Sequence, residues 1–262
     1  MLLDIIILVL RETLEAGVLL SVLLCMSNQN KLSLNWLWVG LILGCVVAIF
    51  YAANFSAVGE IFDYAGQEVL NASIQIIICI CLLVICSFLI LKKQFYMPSS
   101  IVPIMVIVIG LAITRELTEM IIFYTGFVQS QGDIGKALTS GFIGLMIGAS
   151  FGVLCYAAIS SWHPSTSRKV QIGLLTLIAA GMSVQATQLL IQVDWITASK
   201  PVWNTNWILS ESSIVGQMTY AVLGYEATPS FPEVFFYATI VLIVIVLSLI
   251  RYGYVRQGIK RV

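Results

Sequence analysis

Apolar residues run through this chain in seven long blocks, each broken by a short polar or proline-containing stretch. The blocks cover roughly 2–26, 35–54, 68–91, 101–128, 136–162, 170–194 and 233–252. Each approaches or exceeds the ~20 mostly apolar residues that a helix needs to cross a bilayer. The pattern predicts an all-α polytopic membrane protein with seven transmembrane helices in a single domain over 1–262. A long loop, 195–231, precedes the last helix. Within it, 213–223 is apolar but too short to span, and reads as an interfacial or re-entrant helix.

Charge gives the predicted orientation. With alternating loops, one side receives Lys31, Lys92, Lys93, Arg168, Lys169, Arg251, Arg256, Lys260 and Arg261, while the other receives only Lys136 and Lys200. The acids outside the spans, among them Glu60, Asp63, Glu68, Asp133, Glu211 and Glu226, fall on the second side. The basic side is therefore expected to be cytoplasmic, with the N-terminus outside and the C-terminus inside.

Six charges remain inside the apolar blocks: Arg11, Glu12, Glu15, Arg115, Glu116 and Glu119. They form two copies of R-E-x-x-E, 104 residues apart. The next block after each motif carries a ridge of small residues, Gly40, Gly44, Ala48 and Ala52 in one case and Gly144, Gly148 and Gly152 in the other. These parallels suggest a duplication, with repeat 1 at about 1–96, repeat 2 at about 97–194, and a seventh helix at about 232–252. A three-span repeat crosses an odd number of times, so the second copy must be inverted. Inverted repeats place binding sites near the midplane at their interface.

Composition fits this reading. The chain is 60% hydrophobic and 10% charged, where a soluble domain is about 25% charged. Its 13 basic and 13 acidic residues balance. No basic stripe points to nucleic acid. The start, Met1-Leu2-Leu3-Asp4, lacks a basic leader and reads as a retained helix. Six cysteines lie in apolar blocks without a C-x-x-C pair, which suits small packing residues.

Each intramembrane charge costs about 2.5–3.5 kcal/mol on insertion scales. Residues i and i+3 share a helix face, so Glu12 pairs with Glu15 and Glu116 with Glu119. Each arginine is placed to bridge to the other helix or to hold a carboxylate from the side. Four carboxylates and two guanidiniums leave an excess of two negative charges. Two acids must be protonated, face water or bind a cation. Carboxylates are hard ligands that suit Fe3+, Mn2+, Mg2+ and Ca2+ and tolerate Fe2+. The alternative, two ion pairs that only join helices, leaves two acids unexplained.

Arg11-Glu12-Thr13-Leu14-Glu15-Ala16 and Arg115-Glu116-Leu117-Thr118-Glu119 resemble the paired motifs of the iron permease family, which includes fungal oxidase-coupled permeases and bacterial Efe-type permeases. Segments 66–72, 179–186, 203–205 and 224–230 agree, so the likeness covers nearly the whole chain. Leu117-Thr118 stands where the family often has Gly-Leu, and Asn204 where Asp is common. The resemblance implies iron uptake across a cytoplasmic (inner or plasma) membrane, with Fe2+ or Fe3+ as substrate. It implies Glu12, Glu15, Glu116 and Glu119 as ligands, with Arg11 and Arg115 supporting them. An external oxidase or iron-delivery protein is an implied partner, alongside the lipid bilayer.

Gln185 is a candidate pathway residue, on a stripe with Gln188 and Gln192 that also suits interhelical hydrogen bonding. Glu60, Asp63 and Glu68 form an acidic outer patch able to attract cations, or an ordinary solvated loop. A permease for Mn2+ or Pb2+ is the alternative function. A membrane ferroxidase is disfavoured because the lone His163 is remote in sequence from both motifs.

Overall fold

A computed structural model describes residues 2–91, 99–131 and 133–259. Lys92, Lys93, Lys260, Arg261 and the 97–98 entry to the fourth block lie outside the described residues, as does the side chain of Arg256. The described chain is helical: α1 Leu2–Gln29, α2 Asn35–Ala53, α3 Phe55–Gly59, α4 Gly66–Leu91, α5 Val102–Gln131, α6 Ile134–Ser161, α7 Pro164–Gln192, α8 Ile214–Leu223 and α9 Phe231–Ile259. Among the described residues, six helices are long and apolar enough to cross a membrane: α2, α4, α5, α6, α7 and α9. The 28-residue α1 is long enough but carries the first charged motif. Exposed Ile, Leu, Val and Phe side chains cover the outer faces of α2, α6 and α9, a surface suited to lipid.

Helices adjacent in the chain are not the main packing partners. α1 lies along α6, α2 along α5 and α4 along α7, while α9 covers α4 and α7. α1 also meets α5, and α8 packs against α1 and α7. The small-residue ridges make close contacts at two of these seams. A methyl placed on Gly44 would lie 2.8 Å from the Gly110 carbonyl oxygen, and one on Gly148 would lie 2.7 Å from Thr13 Cβ. Thr114 Oγ1 adds a hydrogen bond to the Gly44 carbonyl at 3.3 Å, and Thr118 Oγ1 one to Ala48 at 3.4 Å.

A bulky residue at the second ridge should therefore pry α6 from the helix that bears Arg11 to Glu15. Gly148→Leu is expected to cost about 1–3 kcal/mol, the usual range for overpacking, and to lower the Tm of the purified protein in detergent. Gly173→Ala, with open space around the new methyl, is the control and should leave Tm near wild type.

α7 begins at Pro164, earlier than the apolar block from 170 suggests. His163 is its N-cap, with Nδ1 accepting from the Ser165 amide at 3.4 Å, and proline at the first turn already has the required φ. The lone histidine thus caps a helix. The early start puts Arg168 inside α7, where its Nε donates to the Leu89 carbonyl at 2.8 Å. Arg251 of α9 donates to the same oxygen at 3.4 Å. Both cations donate to a carbonyl in the last turn of α4, where positive charge is favourable. The apolar piece of the long loop is indeed a short helix, α8, capped by Ser213 and ended by Gly224 at φ +66. Gly224 rests directly on Gly181 of α7, so a side chain at either position would separate α8 from the bundle.

Candidate functional site

The two charged motifs meet where α1 faces α5. Glu12, Glu15 and Glu116 each offer a carboxylate oxygen, and the three oxygens lie within 4.8 Å of one another. All three residues are buried. Helical periodicity turns Glu12 and Glu15 to one face of α1, and the crossing of α5 supplies the third carboxylate.

The two arginines act differently. Arg11 holds the neighbouring Glu12 from the side, with Nη2 2.6 Å from Oε1, and reaches Glu119 only at 3.7 Å. Arg115 is the bridge between helices. Its Nη1 lies 3.3 Å from Glu15 Oε2 and 3.2 Å from Glu116 Oε1, and its Nε 3.1 Å from Glu119 Oε1. The Arg115 side chain is 4% exposed, whereas those of Arg11 and Glu119 are 29% and 30% exposed. Arg115 is thus the inner cation, and Arg11 and Glu119 form a rim. Glu119 stands beside the three-carboxylate cluster, tied to Arg115, and is not part of it.

Two arginines do not satisfy four acids. Glu12 Oε2, Glu15 Oε1 and both oxygens of Glu116 are buried without a well-aligned hydrogen bond, although Glu116 Oε1 keeps its ion-pair contact with Arg115 at 3.2 Å. Buried carboxylate oxygens without donors are strongly unfavourable. One carboxylate oxygen from each of the three residues could face a single cation there.

Other anticipated residues fall around this centre. Gln185 is buried and accepts from Gln75 Nε2 at 2.9 Å, which joins α7 to α4. Gln188 accepts from Tyr220 of α8 at 2.6 Å, and Gln192 is exposed. Glu60 and Asp63 sit on the exposed turn between α3 and α4, and Glu68 is half-buried in the first turn of α4. Tyr51 of α2 is close enough to feel the charges of both Glu68 and Glu119.

Several neighbours escaped sequence reasoning. Met182 Sδ lies 3.8 Å from Arg115 Nη1, so a thioether does approach the motif charges. Gln75 was detectable only as one of several polar residues, with Asn71 and Ser73, in the first half of an apolar block. Beside Arg11 opens a polar cavity of about 190 Å³, lined also by Gln188, Glu211, Gln217, Tyr220 and Glu226. It connects the rim of the centre with the long loop. Glu211 anchors that loop by accepting from the amides of Ala227 at 2.6 Å and Thr228 at 3.2 Å.

Glu226, in the loop, is pushed up to about 7 from 4.5 by burial and then by the negative charges of Glu233 and Glu211, against a hydrogen bond with Gln188. The folded protein therefore keeps a proton here that the unfolded chain has released, and stability from this group falls as pH rises from 4.5 to about 7. Glu226→Gln removes that loss. The Tm of the variant minus that of wild type is expected to rise between about pH 5 and about pH 8; a difference independent of pH would contradict the assignment.

Fold and site together define a class: a polytopic helical membrane protein with a carboxylate cluster buried in its helical bundle. Residues 2–260 match the model of the Iron permease FTR1 family, and the chain belongs to that family. Comparison with curated proteins and with solved structures gives no match. Membership makes the protein a multi-pass membrane permease for iron or a related metal, a transporter rather than an enzyme, with iron the implied substrate.

Proposed function

We propose that this permease takes up iron across a cytoplasmic membrane and that Glu12, Glu15 and Glu116 hold the ion in transit. The observation that carries this reading is the cluster of three buried carboxylates, whose oxygens are left short of hydrogen bonds. Glu119 and Arg11 stand at the rim, where an arriving cation meets a carboxylate before it reaches the centre. Arg115 limits the excess negative charge when no ion is bound. In this reading α1 is the seventh span, and the N-terminus and the cavity beside Arg11 face outward.

The packing supports two inverted repeats. An exchange of α1, α2 and α4 with α5, α6 and α7 turns the α1–α6 contact into α5–α2, and leaves α4–α7 and α1–α5 unchanged. Around such an axis Arg115–Glu15 and Arg11–Glu119 are equivalent pairs, at 3.3 and 3.7 Å. The loop over the cavity is where an external oxidase or delivery protein would hand over iron.

The test is uptake of radioactive iron by the purified protein in liposomes, with Mn2+ and Pb2+ as competitors, because hard oxygen donors alone do not separate these ions. Iron should accumulate and should outcompete both. Liposomes that take up no more iron than protein-free vesicles would refute the reading, and preferential Mn2+ or Pb2+ uptake would reassign the cargo.

A further inference from the structure

A second cavity, of about 390 Å³, lies where the long loop, α7, α8 and the start of α9 meet. That volume suits a small organic molecule. Its walls are chiefly apolar. Trp203, Tyr225 and Tyr237 line it, with Val184, Leu223 and Val234 between them. The hydroxyls along the wall are already spent. Tyr237 donates to the Leu223 carbonyl at 3.2 Å, and Tyr225 to that of Leu209 at 3.1 Å. Thr205 donates to the Ala227 carbonyl at 3.2 Å, and Thr219 to that of Val215 at 2.6 Å. The tyrosines therefore offer ring surface to a guest. Two carboxyls, Glu226 and Glu233, complete the lining.

These carboxyls are in surplus. Glu233 is buried and spends Oε2 on the Ser230 amide at 2.5 Å. Glu226 Oε2 is buried with no hydrogen-bond partner. The two acids are close enough for the charge of one to act on the other. Among the described residues, no lysine or arginine forms an ion pair with either. Such a pair needs a shared proton or a cation. A bare metal ion fits poorly. The three-ligand group among the described residues is Glu12, Glu15 and Glu116, and ring and aliphatic walls add no further ligand oxygen. A positive group with an apolar body matches the whole lining. Carboxylates accept its charge-assisted hydrogen bonds, ring faces attract a cation, and the aliphatic wall covers the body.

Burial gives the cavity a direction. Val184 and Glu233 are buried at its inner end, while Trp203 and Ala238 are exposed at its mouth. Phe231, Phe235 and Phe236 are exposed along the same start of α9, as aromatic residues are where a span leaves the bilayer. The mouth thus opens at the level of lipid headgroups. Glu226 also lines the polar cavity beside Arg11, so a guest here lies one carboxyl away from that cavity.

We propose that this cavity binds an alkylammonium, with its charge against Glu226 and Glu233 and its chain along the aromatic wall toward the mouth. A free amine and the ammonium headgroup of a lipid present the same chemistry. The site is separate from the carboxylate centre and does not depend on which metal is the cargo.

The test uses the full-length protein in dodecyl maltoside. Hexylammonium is titrated while tryptophan fluorescence is followed, with hexanol as the uncharged probe of equal chain length. Hexylammonium should give a saturable change that hexanol does not, and Trp203→Phe should remove that signal. Glu226→Gln should weaken binding about tenfold or more. Ala238→Trp, which fills the mouth from an exposed helix position, should block it without disturbing the fold. Native mass spectrometry with phosphatidylethanolamine and phosphatidylglycerol in equal amounts separates the two sources. Retained phosphatidylethanolamine that is lost in both variants identifies a lipid guest, and hexylammonium binding without such retention identifies a free amine. Hexanol binding as tightly as hexylammonium would overturn the site. So would binding unchanged in both variants, or failure of the wild type to hold either hexylammonium or phosphatidylethanolamine.

Discussion

Glu15→Gln combined with Glu116→Gln is expected to reduce iron uptake by at least about 100-fold, with little loss of folded protein. Outer-shell partners of a metal alone are worth about 10–100-fold in affinity, and this variant removes two of three ligands. It also removes both excess negative charges of the motif set, leaving Glu12 and Glu119 to balance Arg11 and Arg115. A glutamine amide adds a donor among oxygens that lack one, so thermal stability should hold or rise. Uptake in liposomes and Tm in detergent, measured on the same preparation, separate lost transport from lost folding. Glu119→Gln alone should be milder, because its side chain is 30% exposed and bound to Arg115. If Glu119→Gln matches the double variant, the centre has four carboxylates and the three-residue assignment fails.

Arg115→Met should have the largest effect on stability. Arg115 lies within 3.3 Å of three carboxylates, those of Glu15, Glu116 and Glu119, and its removal leaves them without their shared cation. Breaking a buried ion pair from one side costs about 3–5 kcal/mol. The expected result is a large fall in Tm and in the yield of monodisperse protein. Arg11→Met should cost much less, since Arg11 is 29% exposed and mainly serves Glu12. Adding Glu15→Gln and Glu116→Gln to Arg115→Met should recover most of the lost Tm, because the orphaned charges are then gone. A triple variant no more stable than Arg115→Met would show that the loss came from packing against Met182 and not from charge.

Much of this was legible in the chain itself. Apolar blocks located the long helices because insertion is governed by local hydrophobicity, and the errors fell at polar ends such as Pro164–Val170, where a cap and a proline extend the helix beyond its apolar core. The pair of R-E-x-x-E motifs marked the centre because ionisable groups in an apolar helix need a reason to be there. A spacing of three residues placed Glu12 beside Glu15. Gln75 and the cavity beside Arg11 were not legible, since both depend on helices far apart in sequence.

By itself, then, the sequence determined that the protein is helical and built for a membrane, that its interior holds a small excess of carboxylates, and which face of each helix carries them. These follow from hydropathy, charge and the 3.6-residue period, all local properties. Only the tertiary structure decided that Glu116 and not Glu119 joins Glu12 and Glu15, and that Arg115 bridges the two helices while Arg11 clasps its neighbour. Those outcomes depend on how deeply two helices pass each other and at what angle. Each of the two helices is seated on another partner, α5 on α2 through Gly110 and Gly44 and α1 on α6 through Thr13 and Gly148, and these are contacts that no local pattern in the chain identifies.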